Sequence, residues 1–195
     1  MELKKIVNFI FELNMLKRES HSGWKLAGVN HPDTVAEHTF RAMQIGYILA
    51  IMENVNPEKV VTLLLIHDNP ETRIRDHHKV SARYISTKEA QEKIIEEQCE
   101  GLGDYIKEKW KNYLHEFEVR DTKEGIVAKD ADWLEVAFQG KEYLDRGYKS
   151  AQNWIDNVEV ALETESAKKI LEEMQKTEFT DWWKDLKKMT YQKLK

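Results

Sequence analysis

Residues that break helices are scarce in this chain, and their scarcity constrains the fold more than any other feature of the sequence. Only 3 Pro and 8 Gly occur among 195 residues, and the apolar residues between them recur mostly at helical steps of three and four. The pattern predicts helices over 1–17, 35–55, 57–66, about 86–101, 104–117 and 122–147, with two more towards the C-terminus. We therefore predict an all-α fold, without repeats or linkers, that forms one domain over 1–195.

Short start signals mark where several of these helices begin. Asn56-Pro57-Glu58 and Asn69-Pro70-Glu71 each combine a capping Asn with a Pro at the first helical position, where Pro loses no hydrogen bond. Ser86-Thr87-Lys88-Glu89 has the capping-box pattern, and Asp121-Thr122-Lys123-Glu124 precedes the longest helix. The run 60–66 could by itself be a buried strand, but the cap before it favours a helix.

Two segments lack a helical period, and one helix is apolar on almost every side. We expect a loop over 23–34 and irregular chain over 76–84. Residues 35–55 are apolar almost all round, which predicts a central, buried helix.

Composition excludes several classes of function. The charge is −5, from 30 Lys+Arg and 35 Asp+Glu, and without a basic stripe the chain is not expected to bind polymeric nucleic acid. No apolar run approaches the ~20 residues that a membrane-spanning helix needs. The single cysteine, Cys99, excludes an internal disulfide and fits a reducing compartment. Since no signal-peptide cleavage site follows the N-terminus, we expect a cytoplasmic protein with no membrane partner.

Three short polar motifs interrupt the most apolar segments. They are 34–38, which ends in His38, then His67-Asp68, and 129–132, which ends in Asp132. A carboxylate among apolar helices is costly unless it is paired or coordinates a metal. Two imidazoles and two carboxylates suit one divalent ion such as Mn, Fe, Co, Ni or Zn. Ligands from separate helices leave coordination positions for water, which is typical of a catalytic site.

Each of these residues also has an ordinary structural interpretation. A single His on an apolar face, such as His38, is more often a core histidine, and the dipeptide His67-Asp68 is common by chance. Asp132 alone could be a cap or a salt-bridge partner. The combination favours the metal interpretation, because three separate polar intrusions into apolar helices would otherwise need three separate explanations.

The ordered set of motifs resembles the HD-domain metal-dependent phosphohydrolases, and within them the 5′-deoxynucleotidase branch of oxetanocin-related and HD-containing-2-like proteins. The similarity covers about 3–145, the motif-bearing core, whereas the C-terminal helices over about 148–195 add little to it. The motifs that carry it are Leu16-Lys17-Arg18, Gly23-Trp24, Pro32-Asp33-Thr34-Val35-Ala36-Glu37-His38, His67-Asp68-Asn69-Pro70-Glu71 and Lys129-Asp130-Ala131-Asp132. The resemblance implies a helical bundle, usually a homodimer, that binds one divalent ion in a buried site and hydrolyses deoxyribonucleoside 5′-monophosphates.

The resemblance also implies roles for individual residues. The metal ligands would be His38, His67, Asp68 and Asp132. Asp130 and Asp132 lie about 200° apart on a helix, so only one can face the ion, and the family pattern and apolar neighbours favour Asp132.

Other positions match residues that contact the substrate. Glu71 matches an acidic residue thought to move protons, although a first-turn Glu is also favoured by the helix dipole. Asp76 matches an aspartate near the sugar and phosphate, and Trp24 a tryptophan of the nucleoside pocket. Gly23 stands where one branch has a phosphate-binding arginine, so Arg18 is a candidate substitute.

The segment after Glu71 departs from the family pattern. Arg75 replaces the glycine usually found before the family aspartate, and it belongs to a cluster of cations with Arg73, Lys79 and Arg83. Such a cluster could attract a phosphate dianion, and it could equally be a solvated loop. We do not expect His77 and His78 to be ligands, because the four-residue site is already complete.

Three other functions stay open at this stage. The chain could be a regulatory module that binds nucleotides, or it could hydrolyse another small phosphate ester. It could also be an interaction protein whose C-terminal aromatic residues cover a partner, namely Phe179, Trp182, Trp183 and Tyr191.

Overall fold

The computed structural model describes residues 1–186, and over this range the chain is helical with no strand. The one β-type contact in this range is an isolated bridge between Ser20 and Thr34. The helices are α1 (Leu3–Leu13), α2 (Gly23–Leu26), α3 (Val35–Met52), α4 (Pro57–Ile66), α5 (Glu71–Ile74), α6 (Lys79–Ala82), α7 (Lys88–Gln98), α8 (Asp104–Val119), α9 (Lys123–Asp145), α10 (Gln152–Ala161), α11 (Glu165–Lys176) and α12 (Asp181–Lys184), with 3-10 turns at Asn14–Lys17 and Lys149–Ala151. The all-α prediction is confirmed.

Helices α3, α4 and α9 pack against one another at the centre of the bundle, and α8, α10 and α11 cover α9. Small residues allow the close approach, because Ala42 of α3 and Ala128, Ala131 and Ala137 of α9 are all fully buried. A Cβ atom at Gly46 would overlap the side chain of Leu64, which brings α3 and α4 together. No helix within 1–186 has both the length and the apolar character that crossing a bilayer requires.

Side-chain caps explain why the helices that carry the polar motifs begin where they do. Thr34 and Glu37 form a reciprocal capping box at the start of α3, in which the Glu37 carboxylate accepts a 2.7 Å hydrogen bond from the Thr34 amide. Asn56 caps α4 and Thr122 caps α9, each through a 3.0 Å hydrogen bond from a backbone amide. At α7 the helix is confirmed but the capping box is wrong, since Thr87 is the N-cap and makes no side-chain hydrogen bond.

Two segments contain more helix than the sequence indicated. Residues 23–26 form the single turn α2, because the buried Trp24 anchors it, so the predicted loop begins later. Residues 79–82 form α6, whose first amides are capped by Nδ1 of His78, which accepts a 3.1 Å hydrogen bond from the Ser81 amide. Conversely, the helix that starts at Glu71 ends after one turn, since Arg75 adopts φ 70° and ψ 168°.

Helix α3 is central but is not buried on every side, which corrects the prediction for 35–55. One face packs into the core, and the other leaves large apolar side chains exposed. We call this surface the α3 apolar face, and it consists of Phe40, Tyr47, Ile48 and Ile51. The sequence of α3 is apolar all round, but the chain has neighbouring helices for only one side of it.

The C-terminal aromatic residues are only partly within the described range. Trp182 and Trp183 are exposed on α12, while the Phe179 ring lies under the Arg146 guanidinium at 5.3 Å. Tyr191 lies outside the described residues. The interpretation of this segment as a partner-binding surface stays a prediction.

Candidate metal centre

The four residues predicted as ligands meet where α3, α4 and α9 approach one another. His38 lies in the first turn of α3, His67 and Asp68 follow the last residue of α4, and Asp132 lies in the middle of α9. Nε2 of His38 lies 3.1 Å from Oδ1 of Asp132 and 3.8 Å from Oδ2 of Asp68. Nε2 of His67 lies 3.0 Å from Oδ2 of Asp68 and 3.8 Å from Oδ1 of Asp132. The fold therefore brings four candidate ligand atoms from distant parts of the chain together, with each imidazole nitrogen within 3.8 Å of both carboxylates.

The electrostatics of this cluster suit a cation. Burial alone would raise the pKa of Asp132, but the nearby Lys129 and His38 hold it well below its usual range. Burial also opposes ionisation of Asp68, and His67 and His38 outweigh it, so the pKa of Asp68 is lowered. Both carboxylates are ionised at neutral pH, and with two imidazoles they form the mixed nitrogen and oxygen donor set that divalent transition ions prefer.

In each histidine, the ring nitrogen that faces away from the cluster, Nδ1, is fixed by a hydrogen bond. Nδ1 of His67 lies 2.6 Å from the carbonyl oxygen of Leu64, and because a carbonyl only accepts, this nitrogen carries the proton. Nδ1 of His38 lies 2.5 Å from Oε2 of Glu135. In both rings this leaves Nε2 facing the cluster, which is the arrangement of metal-binding histidines.

Asp132 divides its two oxygens between different partners. Oδ2 accepts a 2.9 Å hydrogen bond from Nζ of Lys129, and Oδ1 faces the histidines. The Lys129 ammonium group also lies 4.5 Å from the centre of the Phe117 ring. Asp132 therefore presents a single oriented oxygen to the centre.

Asp130, the competing carboxylate, has a different function in the fold. It is fully buried and accepts hydrogen bonds from the Glu163 amide at 3.0 Å and from the Thr164 amide and hydroxyl at 2.7 and 2.6 Å. Asp130 thus fastens the start of α11 to α9, and its side chain is occupied away from the cluster.

Glu71 lies three residues beyond Asp68, at the first position of α5. Its Oε2 atom is buried and has no hydrogen-bond partner among residues 1–186. Burial raises the pKa of Glu71 well above its usual value, and the Asp68 and Asp76 carboxylates raise it further. A buried carboxyl group with a raised pKa and a free oxygen is suited to take up and release a proton.

A cleft of about 360 Å³ has both Trp24 and Asp76 in its wall. Only an edge of Trp24 reaches it, since the ring is almost fully buried and packs against Trp154 with centroids 5.0 Å apart. Oδ2 of Asp76 accepts a 2.5 Å hydrogen bond from the Ser22 amide. Arg18 is exposed after the first 3-10 turn, and the structure does not bring it into the wall of this cleft.

The four cations near Asp76 do not act as one cluster. Arg73 is held by Glu12 at 2.7 Å and by Glu97 at 2.5 Å, so its charge is already neutralised. Lys79 lines the cleft, whereas Arg75 and Arg83 are exposed. Within the described part of the chain, only Lys79 is both a member of the group and part of the cleft wall.

Sequence reasoning missed several residues that surround the cluster. His21 is half-buried with its ring centre 4.4 Å from that of His38, and its Nδ1 lies 3.2 Å from Oδ2 of Asp33. Tyr143 donates a 3.0 Å hydrogen bond to the other oxygen of Asp33. His21 also lines the cleft. The signal was faint, because His21 and Asp33 lie in an aperiodic segment where polar residues are expected.

A second possible metal-binding trio shares His38 with the first. One donor atom each from His21, His38 and Glu135 lie within 4.8 Å of one another, as do those of His38, His67 and Asp132. The nitrogen of His38 that faces Glu135 is already in a hydrogen bond with it. The trio with His67 and Asp132 therefore fits an ion better, since it uses the free Nε2.

Comparisons with known proteins match most of the chain. A family model described as HD domain matches residues 13–178. The human protein named 5′-deoxynucleotidase HDDC2 is 24% identical over 151 residues, which cover 75% of this chain and 72% of the human one. The Schizosaccharomyces pombe protein named 5′-deoxynucleotidase hdd1 is 29% identical over 143 residues, which cover 71% and 72% of the two chains. A solved structure of a conserved hypothetical protein from Pyrococcus furiosus is 26% identical with a TM-score of 0.72, covering 88% of this chain and 99% of that one.

Proposed function

This chain belongs to the HD domain family and is a hydrolase, and we propose that it removes the 5′-phosphate from deoxyribonucleoside 5′-monophosphates in a metal-dependent reaction. The observation that carries the proposal is the close approach of the imidazoles of His38 and His67 to the carboxylates of Asp68 and Asp132, which come from α3, the end of α4 and α9. The names of its relatives supply the substrate class.

The residues that would hold the ion are His38 and His67, through Nε2, and Asp68 and Asp132, through one oxygen each. The donor set fits Mn, Fe, Co, Ni or Zn, and four ligands suit one ion. When bound, such an ion supplies Lewis acidity, which acidifies water and offsets negative charge on the phosphoryl oxygens.

Glu71 is the group of this chain that would move the proton. Water attacks phosphorus, the bond from phosphorus to the 5′-oxygen breaks, and the nucleoside leaves with a proton on that oxygen. The free Oε2 of Glu71 can accept a proton from the water and return one to the leaving oxygen. Its raised pKa brings proton exchange closer to neutral pH.

The nucleoside would occupy the cleft beside the cluster. Its volume of about 360 Å³ falls within the ~300–1,000 Å³ of small-molecule sites. Trp24 would pack against the sugar and base, and Asp76 would lie near the sugar and phosphate. Arg18 would have to reach the phosphate from outside the cleft wall, so Lys79 is the nearer candidate cation.

We infer that the chain acts as a homodimer of single-domain subunits. The α3 apolar face is exposed in the isolated chain, with Phe40 64% and Ile48 55% accessible, and contiguous exposed apolar surface is typical of an interface. Helices α10 and α11 pack on α9, which supports the predicted single domain as far as the end of α11. A cytoplasmic location stays a prediction.

Phosphate release from a panel of nucleoside monophosphates tests the proposed reaction. We expect turnover of deoxyribonucleotides with Mn²⁺ or Co²⁺ and none with EDTA. His67→Gln should abolish it, whereas His115→Gln, at an exposed histidine of α8, should not. Binding of nucleotides without phosphate release would favour a regulatory module, and turnover of other phosphate esters alone would replace the substrate class.

A further inference from the structure

A chain of charged groups runs from the candidate metal centre through the contact between α3 and α9. His38 and Arg41 lie one turn apart on α3, and Glu135 of α9 contacts both. Oε2 of Glu135 lies 2.5 Å from Nδ1 of His38. The other oxygen, Oε1, accepts a 2.8 Å hydrogen bond from Nε of Arg41. Each oxygen of Glu135 therefore has a charged or polarisable partner of its own.

Glu135 is buried, so its contacts with His38 and Arg41 differ from an ordinary ion pair at the surface. Glu135 is 1% exposed and His38 is 1% exposed, and a buried carboxylate is costly unless its oxygens are satisfied. Arg41 does not depend on Glu135 alone, because its other nitrogens bind Glu142 at 2.5 Å and Gln139 at 2.7 Å. Among the described residues, Glu135 is the carboxylate that contacts Nδ1 of His38.

The two histidines of the centre thus have different hydrogen-bond acceptors at Nδ1. His67 donates to the neutral carbonyl of Leu64, whereas His38 faces a buried carboxylate. A carboxylate on Nδ1 fixes the tautomer with the proton on that nitrogen, orients the ring and makes Nε2 a better electron donor. His38 is therefore built as the stronger nitrogen donor of the pair.

We propose that Glu135 is a positioning residue of the metal centre, which accepts a hydrogen bond from Nδ1–H of His38 so that Nε2 faces the ion, and that Arg41 holds Glu135 in place. This inference rests on the proposed metal site. It adds to that site two residues that do not touch the ion. Glu135 acts on the ion through His38, and Arg41 acts through Glu135.

The affinity of the metal-free protein for Co²⁺, measured by competition with a chromogenic chelator, tests this role without any substrate. Glu135→Gln should weaken Co²⁺ binding by about 10- to 100-fold, the usual effect of losing such an outer partner. Glu142→Gln is the matched control, because it makes the same chemical change at another carboxylate of Arg41 that does not touch His38. The control should bind Co²⁺ as the wild type does.

A second variant and a spectroscopic signal cover the case in which Glu135→Gln does not fold. Glu135→Asp keeps a carboxylate for Arg41 but withdraws it from His38, so it should also bind Co²⁺ more weakly. With Zn²⁺ bound, the wild type should show a downfield, slowly exchanging Nδ1 proton of His38 in ¹H–¹⁵N spectra, and Glu135→Asp should lose that signal.

The outcomes separate this inference from the proposed function. Wild-type affinity in both Glu135 variants overturns the role of Glu135 and leaves the metal site standing. Equal weakening in Glu142→Gln also overturns it, because the whole Arg41 network would then act as a structural support. If the wild type binds neither Co²⁺ nor Zn²⁺, the proposed metal site fails and the positioning role fails with it.

Discussion

Asp130 and Asp132 lie two residues apart on α9 and serve different parts of the molecule. Asp130 accepts three hydrogen bonds from Glu163 and Thr164 and fastens the start of α11. Asp132 turns one oxygen to Lys129 and the other to His38. The helical rotation between two positions two residues apart separates a structural carboxylate from a candidate ligand.

Replacement by Asn should therefore affect ion binding at one of these positions and the stability of the fold at the other. Asp132→Asn should abolish divalent-ion binding and phosphate release while the metal-free protein stays folded. Asp130→Asn should keep the ion but lower the free energy of unfolding by about 1–3 kcal/mol, because an amide nitrogen would face donors. Metal content and urea denaturation measure the two properties. Loss of the ion in Asp130→Asn but not in Asp132→Asn would reverse the assignment.

The sequence was sufficient to find the candidate ligands because they stand out chemically. His38, His67 and Asp132 interrupt apolar helices, and a polar residue in such a place needs a partner. Caps at Asn56 and Thr122 could be located for a similar reason, since short polar side chains before a helical pattern satisfy the first amides.

Other parts of the site could not be predicted because nothing in the local pattern marks them. Glu135 looks like one more charge on a helix that also exposes charged residues, and its burial depends on Arg41 approaching from α3. His21 lies in an aperiodic segment, and only the tertiary fold brings it to His38. The sequence did not predict the exposed face of α3. An apolar helix is expected to be buried, and the sequence does not show whether the chain has neighbouring helices to bury it.

Removing the Glu71 carboxyl group should stop the reaction without removing the ion. Glu71→Gln should retain one divalent ion per chain and lose about 10²- to 10⁴-fold in turnover, the range for a missing general acid or base. Phosphate release and elemental analysis of the same sample measure both. Glu12→Gln, which changes a carboxylate paired with Arg73, is the control for a general effect of the substitution. Wild-type turnover in Glu71→Gln would exclude this residue from the mechanism.

The raised pKa of Glu71 also predicts how the metal-free protein responds to pH. Above the ordinary value of 4.5 the unfolded carboxyl group is ionised, while the folded one keeps its proton. The folded state then binds more protons, so the contribution of this group to stability is lost as the pH rises towards its folded pKa. Glu71→Gln has no such group. Its free energy of unfolding, relative to the wild type, should therefore increase from pH 4.5 upwards in urea titrations with EDTA. A pH-independent difference would show that Glu71 ionises normally.

Arg75 occupies a backbone conformation that glycine adopts without cost. Its φ of 70° and ψ of 168° lie in a region that is strained by about 1–3 kcal/mol for other residues. Arg75→Gly should raise the free energy of unfolding by about 1 kcal/mol, the strain released less the entropy that glycine adds to the unfolded chain.

Arg75→Ala is the control for this substitution, because it removes the guanidinium but keeps the strain. Urea denaturation should show no gain for Arg75→Ala. A gain of equal size in both variants would attribute the effect to the lost charge. If Arg75→Gly raises KM for a nucleoside monophosphate while Arg75→Ala does not, the strained backbone itself places Asp76.

The α3 apolar face should hold two copies of the chain together. Ile48 belongs to this face and is 55% exposed in the isolated chain. A charge there would be desolvated in a dimer that buries the face. Light scattering should give a dimer for the wild type and a monomer for Ile48→Glu. Val160→Glu, at a side chain of α10 that is 88% exposed, is the matched control and should leave the mass unchanged.

The phosphate-release assay separates the two consequences that this substitution could have. The four candidate ligands all come from one chain and face inward from α3, α4 and α9, away from the exposed side of α3. A monomeric Ile48→Glu protein should therefore still bind its ion. Its turnover should fall only to the extent that the separated subunits are less stable than the dimer. A monomeric wild type would exclude the dimer, and a dimeric Ile48→Glu would place the interface on another surface.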